Sequence, residues 1–290
     1  MIRALRKFVS YLSGPKRYVF FIVLLLICIV ALSLGIYAQF FYKYADTDPL
    51  MIGINVGSKK TAEEIAILKS NFNQLFNNSV TGTLNDKIKV SKIAPERDIV
   101  YTYYDLVHTD ENYYSIDAKI PIVNIDSEVA KGINADIISE FYETANNITR
   151  RKEDSTIYKV TYASFINDKI LSIVIKSSLK EEGKAEKVVI KTFNYLLNED
   201  RRITIKEMIE AKSLTLASVQ NIINDDVKVA YDRAKELAAE YGALYERDLK
   251  SDIYKVENTE NFFLTQEGYV YIVYAYGNND YTNDMDIVIF

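Results

Sequence analysis

The sequence predicts an α+β fold, antiparallel hairpins with helices packed on one face, preceded by one N-terminal transmembrane helix. Three observations carry that expectation. Runs rich in β-branched and aromatic residues come in pairs joined by short polar loops at 108–112, 167–169 and 265–268, the signature of hairpins. Between them lie segments with apolar residues at helical spacing, opened by capping residues. Ahead of both, residues 18–42 form an uncharged apolar run behind a seventeen-residue tail with five basic and no acidic residues.

The apolar run spans 25 residues. As a helix rising ~1.5 Å per residue it is roughly 37 Å long, enough to cross a ~30 Å hydrocarbon core. It exceeds the ~7–15 residues of a signal-peptide core, and no small-residue cleavage pattern follows it. A soluble core helix would carry polar residues at helical spacing, which this run lacks. A retained anchor is therefore expected over a cleaved signal or a buried core helix. Arg3, Arg6, Lys7, Lys16 and Arg17 on one side hold the N-terminus in the cytoplasm by the positive-inside rule. The expected location is the cell membrane, single-pass, with the C-terminal domain extracytoplasmic. The expected organisation is a cytoplasmic tail (1–17), the transmembrane helix (18–42), a linker and stalk region (43–97), and two extracellular modules (98–184 and 185–290).

Pro49, Gly53 and Gly57 mark a juxtamembrane linker. Thr61-Ala62-Glu63-Glu64 has the form of a capping box, and Ile65, Leu68, Phe72, Leu75 and Phe76 follow on one helical face, up to Asn77-Asn78. That helix belongs either to a stalk or to the start of the globular domain. Residues 99–107 and 113–123 read as a hairpin around a five-residue loop holding His108, with Pro121 at an edge position or strand end. Asp126 or Ser127 then caps a helix to about Ala145, with Ala130, Ile133, Ile137, Ile138 and Phe141 inward. Residues 158–166 and 170–178 form a second hairpin, and 187–195 a further strand. Thr204-Ile205-Lys206-Glu207 repeats the capping box before a short helix. A longer helix covers 215–241 with Gly242 as its stop, and 244–252 continues as a further helical turn or two. Residues 261–264 and 269–276 make a third hairpin, and 286–290 a terminal strand.

All 40 acidic residues lie beyond the apolar run, with 30 of the 35 basic ones, so the exported part carries a charge near −10. That argues against nucleic acid and against tight docking on anionic lipid, and it suits a basic partner as well as simple solubility. The single cysteine, Cys28, lies in the apolar run, which leaves the exported part without disulfides or thiolate metal sites. His108 is the only histidine and is expected to be solvated at a loop tip. No zinc helix, nucleophile elbow or phosphate-binding loop is present. Asp225-Asp226 and Glu181-Glu182 read as exposed charge; adjacent acids on a helix do not converge on one point. Asp280, Asp284 and Asp286 are read as solvated charge, with weak cation binding as the alternative. No enzyme, cofactor or resident metal is expected. Of the 23 tyrosines, Tyr269, Tyr271, Tyr274 and Tyr276 crowd one strand and Tyr101, Tyr103 and Tyr104 another, where Tyr packs its ring and keeps its hydroxyl wet; a glycan-facing role is the alternative, weakened by the absence of Trp.

Residues from about 99 to 290 carry a family resemblance. It runs from the first hairpin through Phe141-Tyr142 to Tyr158-Lys159-Val160-Thr161-Tyr162 and Ile170-Leu171-Ser172-Ile173-Val174-Ile175. It resumes at Thr192-Phe193-Asn194-Tyr195-Leu196-Leu197, at Ile203-Thr204-Ile205-Lys206-Glu207-Met208-Ile209, and at the aromatic strand from Phe262 to Ile272, with Tyr276 and Tyr281 spaced five apart. These features resemble the extracellular region of the RsiV-like family of membrane-bound anti-sigma factors that sense lysozyme. The same paired modules, named only as domains of unknown function, also occur beside a peptidoglycan deacetylase. The family's Gly-rich, His-containing loop is replaced here by Lys180-Glu181-Glu182-Gly183-Lys184-Ala185-Glu186, and its acidic-Ile-Ala-Pro stretch by Gly277-Asn278-Asn279-Asp280. The resemblance implies a non-enzymatic envelope sensor whose partner is peptidoglycan, a lysozyme-like protein or another basic envelope protein. Tyr276, Tyr281, Asp280 and Asp284 are the residues expected to face a ligand. A seventeen-residue tail is too short for a sigma-binding segment, so a regulator controlled by proteolysis near 43–60 is the second expectation and a cell-wall hydrolase the third.

Overall fold

The computed structural model describes residues 59–151, 155–241 and 245–290. The apolar run at 18–42 and Gly242 lie outside the described residues, and among those described no helix is long and apolar enough to cross a membrane.

Helix α1 (Ala62–Ser70) opens on the expected capping box: the Glu64 amide donates to Thr61 Oγ1 (3.2 Å) and the Thr61 amide to Glu64 Oε2 (2.9 Å). It stops at Ser70 rather than at Asn77-Asn78, and a 3-10 turn over Phe72–Leu75 continues the chain. Phe72 is buried, and Ile65, Leu68, Leu75 and Phe76 pack around the same core, which makes this helix part of the globular domain and not a separate stalk. Asn78 sits at φ +56° and bonds the Tyr162 backbone on both sides. It thereby lays the short strand β1 (Val80–Thr81) parallel to β4 (Thr156–Asn167).

Strands β2 (Val100–Asp110) and β3 (Tyr114–Val123) form the first hairpin. Its loop is shorter than the sequence suggests. His108 pairs with Ile116 inside the ladder, so it is an exposed strand residue rather than a loop tip. Pro121 pairs with Thr102 on one side, while β4 contacts β3 only from Tyr114 to Ala118. The missing proline N–H therefore faces no ladder.

Ser127 caps α2 (Glu128–Ile137), a single π turn over Ile138–Tyr142 follows, and α3 (Glu143–Arg151) completes the crossover to β4. That crossover makes β3 and β4 parallel, a pairing the hairpin pattern did not anticipate. β4, β5 (Ile170–Glu181), β6 (Lys187–Leu196) and β7 (Arg201–Arg202) continue antiparallel, giving a seven-stranded sheet ordered β2-β3-β4-β5-β6-β7 with β1 beside β4. The expected module boundary at 184/185 falls in the loop between β5 and β6, neighbours in this one sheet, and the described residues form one compact unit.

Beyond β7 come α4 (Ile205–Ala211), again on a complete capping box, and α5 (Leu216–Tyr241). Residues 245–251 are not helical, contrary to the sequence expectation; two 3-10 turns follow at Asp252–Tyr254 and Val256–Asn258. The chain ends in a three-stranded antiparallel sheet of β8 (Phe262–Leu264), β9 (Val270–Ala275) and β10 (Met285–Ile289).

Strand alternation sorts the cores. On one face of the large sheet, Ile116, Ala118, Tyr158, Val160, Leu171 and Ile173 meet Ala130, Ile133, Ile137 and Phe141 of the crossover helices. On the other, Ala163, Phe165, Val174 and Ile190 meet Phe263, Tyr271, Val273 and Ile289 of the small sheet. Phe263 stacks between Phe165 (5.7 Å) and Tyr271 (4.8 Å). Edge strand β8 is tied down by side chains of the large sheet. Asn194 Nδ2 donates to the Phe262 carbonyl (2.7 Å), and the Phe262 and Leu264 amides donate to Thr192 Oγ1 and Ser172 Oγ (both 3.0 Å). These bonds satisfy backbone groups that a buried edge would otherwise leave orphaned. The far face of the small sheet, with Ile272, Tyr274 and Val288 buried, is closed by α5 and the 3-10 turns. Gln220 of α5 fastens those turns through the Tyr254 carbonyl and the Val256 amide. Helices therefore lie on two sides of the molecule, not on one face, because a second sheet occupies the face they leave open.

Candidate functional site

The four residues expected to face a ligand fall around the turn that leaves β9. That turn, Tyr276–Asn278, lies against β6: Asn278 accepts from the Ile190 amide (3.1 Å) and donates to its carbonyl (3.2 Å), and the Val188 amide donates to the Thr282 carbonyl (3.0 Å). Gly277 permits this approach, since a Cβ there would overlap the Val188 backbone and the Thr282 carbonyl.

Tyr276 does not face solvent; it is 4% exposed. Its hydroxyl donates to Asp286 Oδ2 (2.5 Å) and lies 2.7 Å from the Tyr254 hydroxyl. Tyr245 stacks on its ring at 4.1 Å, and the Arg247 guanidinium lies 5.3 Å from its centre. Arg247 holds Asp286 in a two-pronged ion pair of 2.6 and 2.8 Å. Burial works against the Arg247 charge, and the Asp286 carboxylate more than reverses it, leaving the guanidinium above its ordinary range. Burial first, and the Asp286 charge second, push the Tyr276 phenol far above its usual range. Burial lifts Tyr254 to about 12.

Asp284 Oδ2 accepts from the Tyr245 amide (3.1 Å). Asp280 is exposed; after burial, its charge is the next cause that raises the Tyr245 phenol. Asp280, Asp284 and Asp286 thus do not converge on a common centre, and Asp286 is a buried ion-pair partner, not solvated charge. Among the described residues no acidic, His or Cys cluster could hold a metal ion. Tyr281 is half exposed and lies apart from the others: its hydroxyl donates to Glu181 (3.2 Å), and the ammonium groups of Lys184 and Lys187 lie 5.5 and 5.6 Å from its ring centre. Of the other acidic pairs, Asp226 is salt-bridged to Lys69 on α1 (2.8 Å).

Beside the Tyr245–Tyr276 stack lies a cleft of about 350 Å³. Val273–Tyr276, residues 258–261, and Lys191 with Asn278 and Asn279 line it from three parts of the chain. Its charged residues are Lys191, Asp252 and Glu260, so the lining is close to neutral. Three polar side chains that line it are nine-tenths or more buried: Thr259, Asn261 and Tyr274. The Thr259 and Tyr274 hydroxyls are fully buried and lie against each other, and burial pushes the Tyr274 phenol up to about 12. Of the four residues singled out in the sequence, Tyr276 lines the cleft and Tyr281, Asp280 and Asp284 do not; Tyr245, Lys191, Thr259 and Asn261 line it without having been singled out. The sequence pattern places Tyr245 in a helix, and nothing local distinguishes Lys191, Thr259 and Asn261 from surface polar residues.

Fold and site together define an α+β domain of two stacked sheets with a neutral, aromatic-walled cleft at the end of β9. The chain is similar to the crystal structure of a DUF3298 family protein from Pseudomonas aeruginosa PAO1, at 13% identity over 65% of this chain and 83% of that one, with a TM-score of 0.38. It is also similar to a member of the same family from Bacteroides fragilis, at 12% identity over 56% and 74% of the two chains, with a TM-score of 0.31. No family model and no curated protein matches the sequence.

Proposed function

We propose that this protein is a single-pass, membrane-anchored extracytoplasmic binding or sensor module of the cell envelope, acting without catalysis. The apolar run at 18–42 with its basic flank supports the anchor, and the resemblance to RsiV-like sensors supports the envelope setting. The observation that carries the binding role is the cleft beside Tyr276, a concave surface where aromatic rings meet amide and hydroxyl side chains. The ligand classes are peptidoglycan, a lysozyme-like protein or a neighbouring envelope protein.

The test is photo-crosslinking on intact cells, with a crosslinkable residue replacing Asn279 at the cleft mouth of the tagged full-length chain. The reading expects capture of an envelope component that is lost when the crosslinker is moved to Lys228 on the exposed side of α5. Equal capture from both positions, or none, would overturn it. Release of cut wall fragments by the purified chain would overturn the non-catalytic part.

A further inference from the structure

We propose that the open edge of β2 is a docking site for an extended, basic segment of a partner protein, which adds to the large sheet as a further strand. This surface lies on the other side of the sheet from β6, against which the Tyr276 turn is bonded, and it does not depend on the cleft there.

The first observation is the ladder. From Tyr104 to Asp110, β2 pairs with β3 without interruption, and among the described residues no strand lies on its other side. The Asp110 carbonyl accepts from the Tyr113 amide in the hairpin turn (3.0 Å), so it points towards β3. Backbone groups alternate sides along a strand. Asp110, His108 and Leu106 therefore bond β3, while the amides and carbonyls of Thr109, Val107 and Asp105 point outward. The other edges are short or closed. Strands β1 and β7 have two residues each, β10 lies against α1 and α5, and side chains of the large sheet hold β8. Long edges are commonly blunted by lysine, proline or a bulge. The bulge of β2 lies between Thr102 and Tyr104, ahead of this stretch, and Val107 within it is 69% exposed.

The second is a groove of about 310 Å³ along that edge, between residues 105–108 of β2 and one helical face formed by Tyr142, Ala145, Asn146 and Thr149. Tyr142 stacks on Tyr104 (4.1 Å), which sets the helix beside the strand. A strand added to β2 places every second side chain in this groove, against Leu106, Ile116 and Ala145.

The third is charge. Burial first, and then the charges of Tyr103, Tyr142 and Glu143, raise the Tyr104 phenol, so the exposed Glu143 carboxylate stands at the Tyr104 end of the groove. Lys119, across the sheet, is taken up by Asp105 (3.0 Å), and the arginines of α3, Arg150 and Arg151, lie in its last turn. A basic residue on the added strand meets Glu143. A second copy of this chain would bring the same acidic rim, like charge against like, so charge favours a basic partner.

The experiment is fluorescence anisotropy of the purified full-length chain in detergent. The probe is a labelled, blocked peptide of alternating threonine and valine with a lysine at each end, so that one lysine meets Glu143 whichever way it runs. The expected result is binding at least tenfold tighter than that of the same peptide with glutamate for lysine. Two versions N-methylated on alternate amides are expected to separate, one losing at least tenfold and the other not, because only one edge of an added strand faces β2. Val107→Pro removes an outward amide and no bond to β3, and is expected to weaken the peptide at least tenfold. Should it unfold the chain, Glu143→Lys is expected to weaken the lysine peptide at least threefold and to favour the glutamate one. No binding up to about 1 mM, equal affinity for the two charges, or equal loss from both N-methylated versions would each overturn the proposal. Self-association of the chain that Val107→Pro abolishes would overturn it in favour of a second copy. Failed crosslinking from position 279 beside a bound peptide would reject the cleft and leave this edge standing.

Discussion

Arg247 and Asp286 form an ion pair whose side chains are 8% and 9% exposed, joined by two hydrogen bonds of 2.6 and 2.8 Å. The pair binds an irregular segment to the last strand of the molecule, and the Tyr276 hydroxyl completes it by donating to the same carboxylate. A buried pair of this kind does not have to add stability against an apolar substitute, but losing one partner leaves a charge stranded.

Asp286→Asn is therefore expected to destabilise the fold by about 3–5 kcal/mol, the usual cost of breaking a buried pair from one side. Tyr276→Phe, which removes only a hydroxyl from the same network, is expected to cost about 1–3 kcal/mol. Urea unfolding followed by circular dichroism measures both. An Asp286→Asn loss below that of Tyr276→Phe would show that the ion pair is not what holds the 245–258 segment.

Tyr195, Tyr254, Tyr271 and Tyr274 are raised from the ordinary value near 10 to about 12, in each case mainly by burial. A raised phenol keeps its proton longer in the folded chain than in the unfolded one. Its contribution is fully present below pH ~10, and it is lost as pH rises through about 12, so stability falls on the alkaline side. Spectrophotometric titration is expected to show exposed tyrosines ionising near pH ~10 and a second group ionising only as the dichroism signal collapses. A single transition of all tyrosines near pH ~10 with the fold intact would contradict this burial.

Gly277→Ala places a Cβ against the backbone of Val188 and 2.5 Å from the Thr282 carbonyl, where neither neighbour can rotate away. The expected loss is on the order of 3–5 kcal/mol, at the upper end for a single substitution. Gly132 in α2 is the contrast, with only Arg202 Nη2 near its added Cβ, at 3.9 Å. Gly132→Ala is expected to stabilise by about 0.5–1 kcal/mol through helix propensity. Thermal melting of the two variants compares them directly.

The proposed anchor makes its own prediction. Lysine at the centre of a spanning helix costs about 2.5–3.5 kcal/mol per residue on insertion scales. Val30→Lys with Leu32→Lys should move the chain from the carbonate-resistant membrane fraction to the soluble one. Retention of the double variant in the membrane fraction would reject residues 18–42 as the anchor.

Local chemistry made much of the fold legible. The boxes at Thr61/Glu64 and Thr204/Glu207 and the cap at Ser127 start helices where the sequence places them, because each needs only residues three apart to bond. The hairpin turning at Asp168 was legible for a similar reason: two alternating runs with a two-residue turn between them fix their own register. The site was legible only in part. The spacing of Tyr276 and Tyr281 drew attention to the right turn, yet Tyr276 lies under Tyr245 while Tyr281 stands out in solvent, and spacing is blind to what covers a side chain.

By itself, then, the sequence determined the α+β class, the helices with caps and the antiparallel hairpins, all of which depend on interactions within a few residues or on strand period. Tertiary structure alone decided the parallel junction of β3 and β4, the stacking of the small sheet on the large one, and the cleft beside Tyr276. Each of these joins residues far apart in the chain, such as Arg247 with Asp286 or Asn194 with Phe262. Such contacts form only when two separately specified surfaces meet, and their complementarity leaves no periodic mark in either segment.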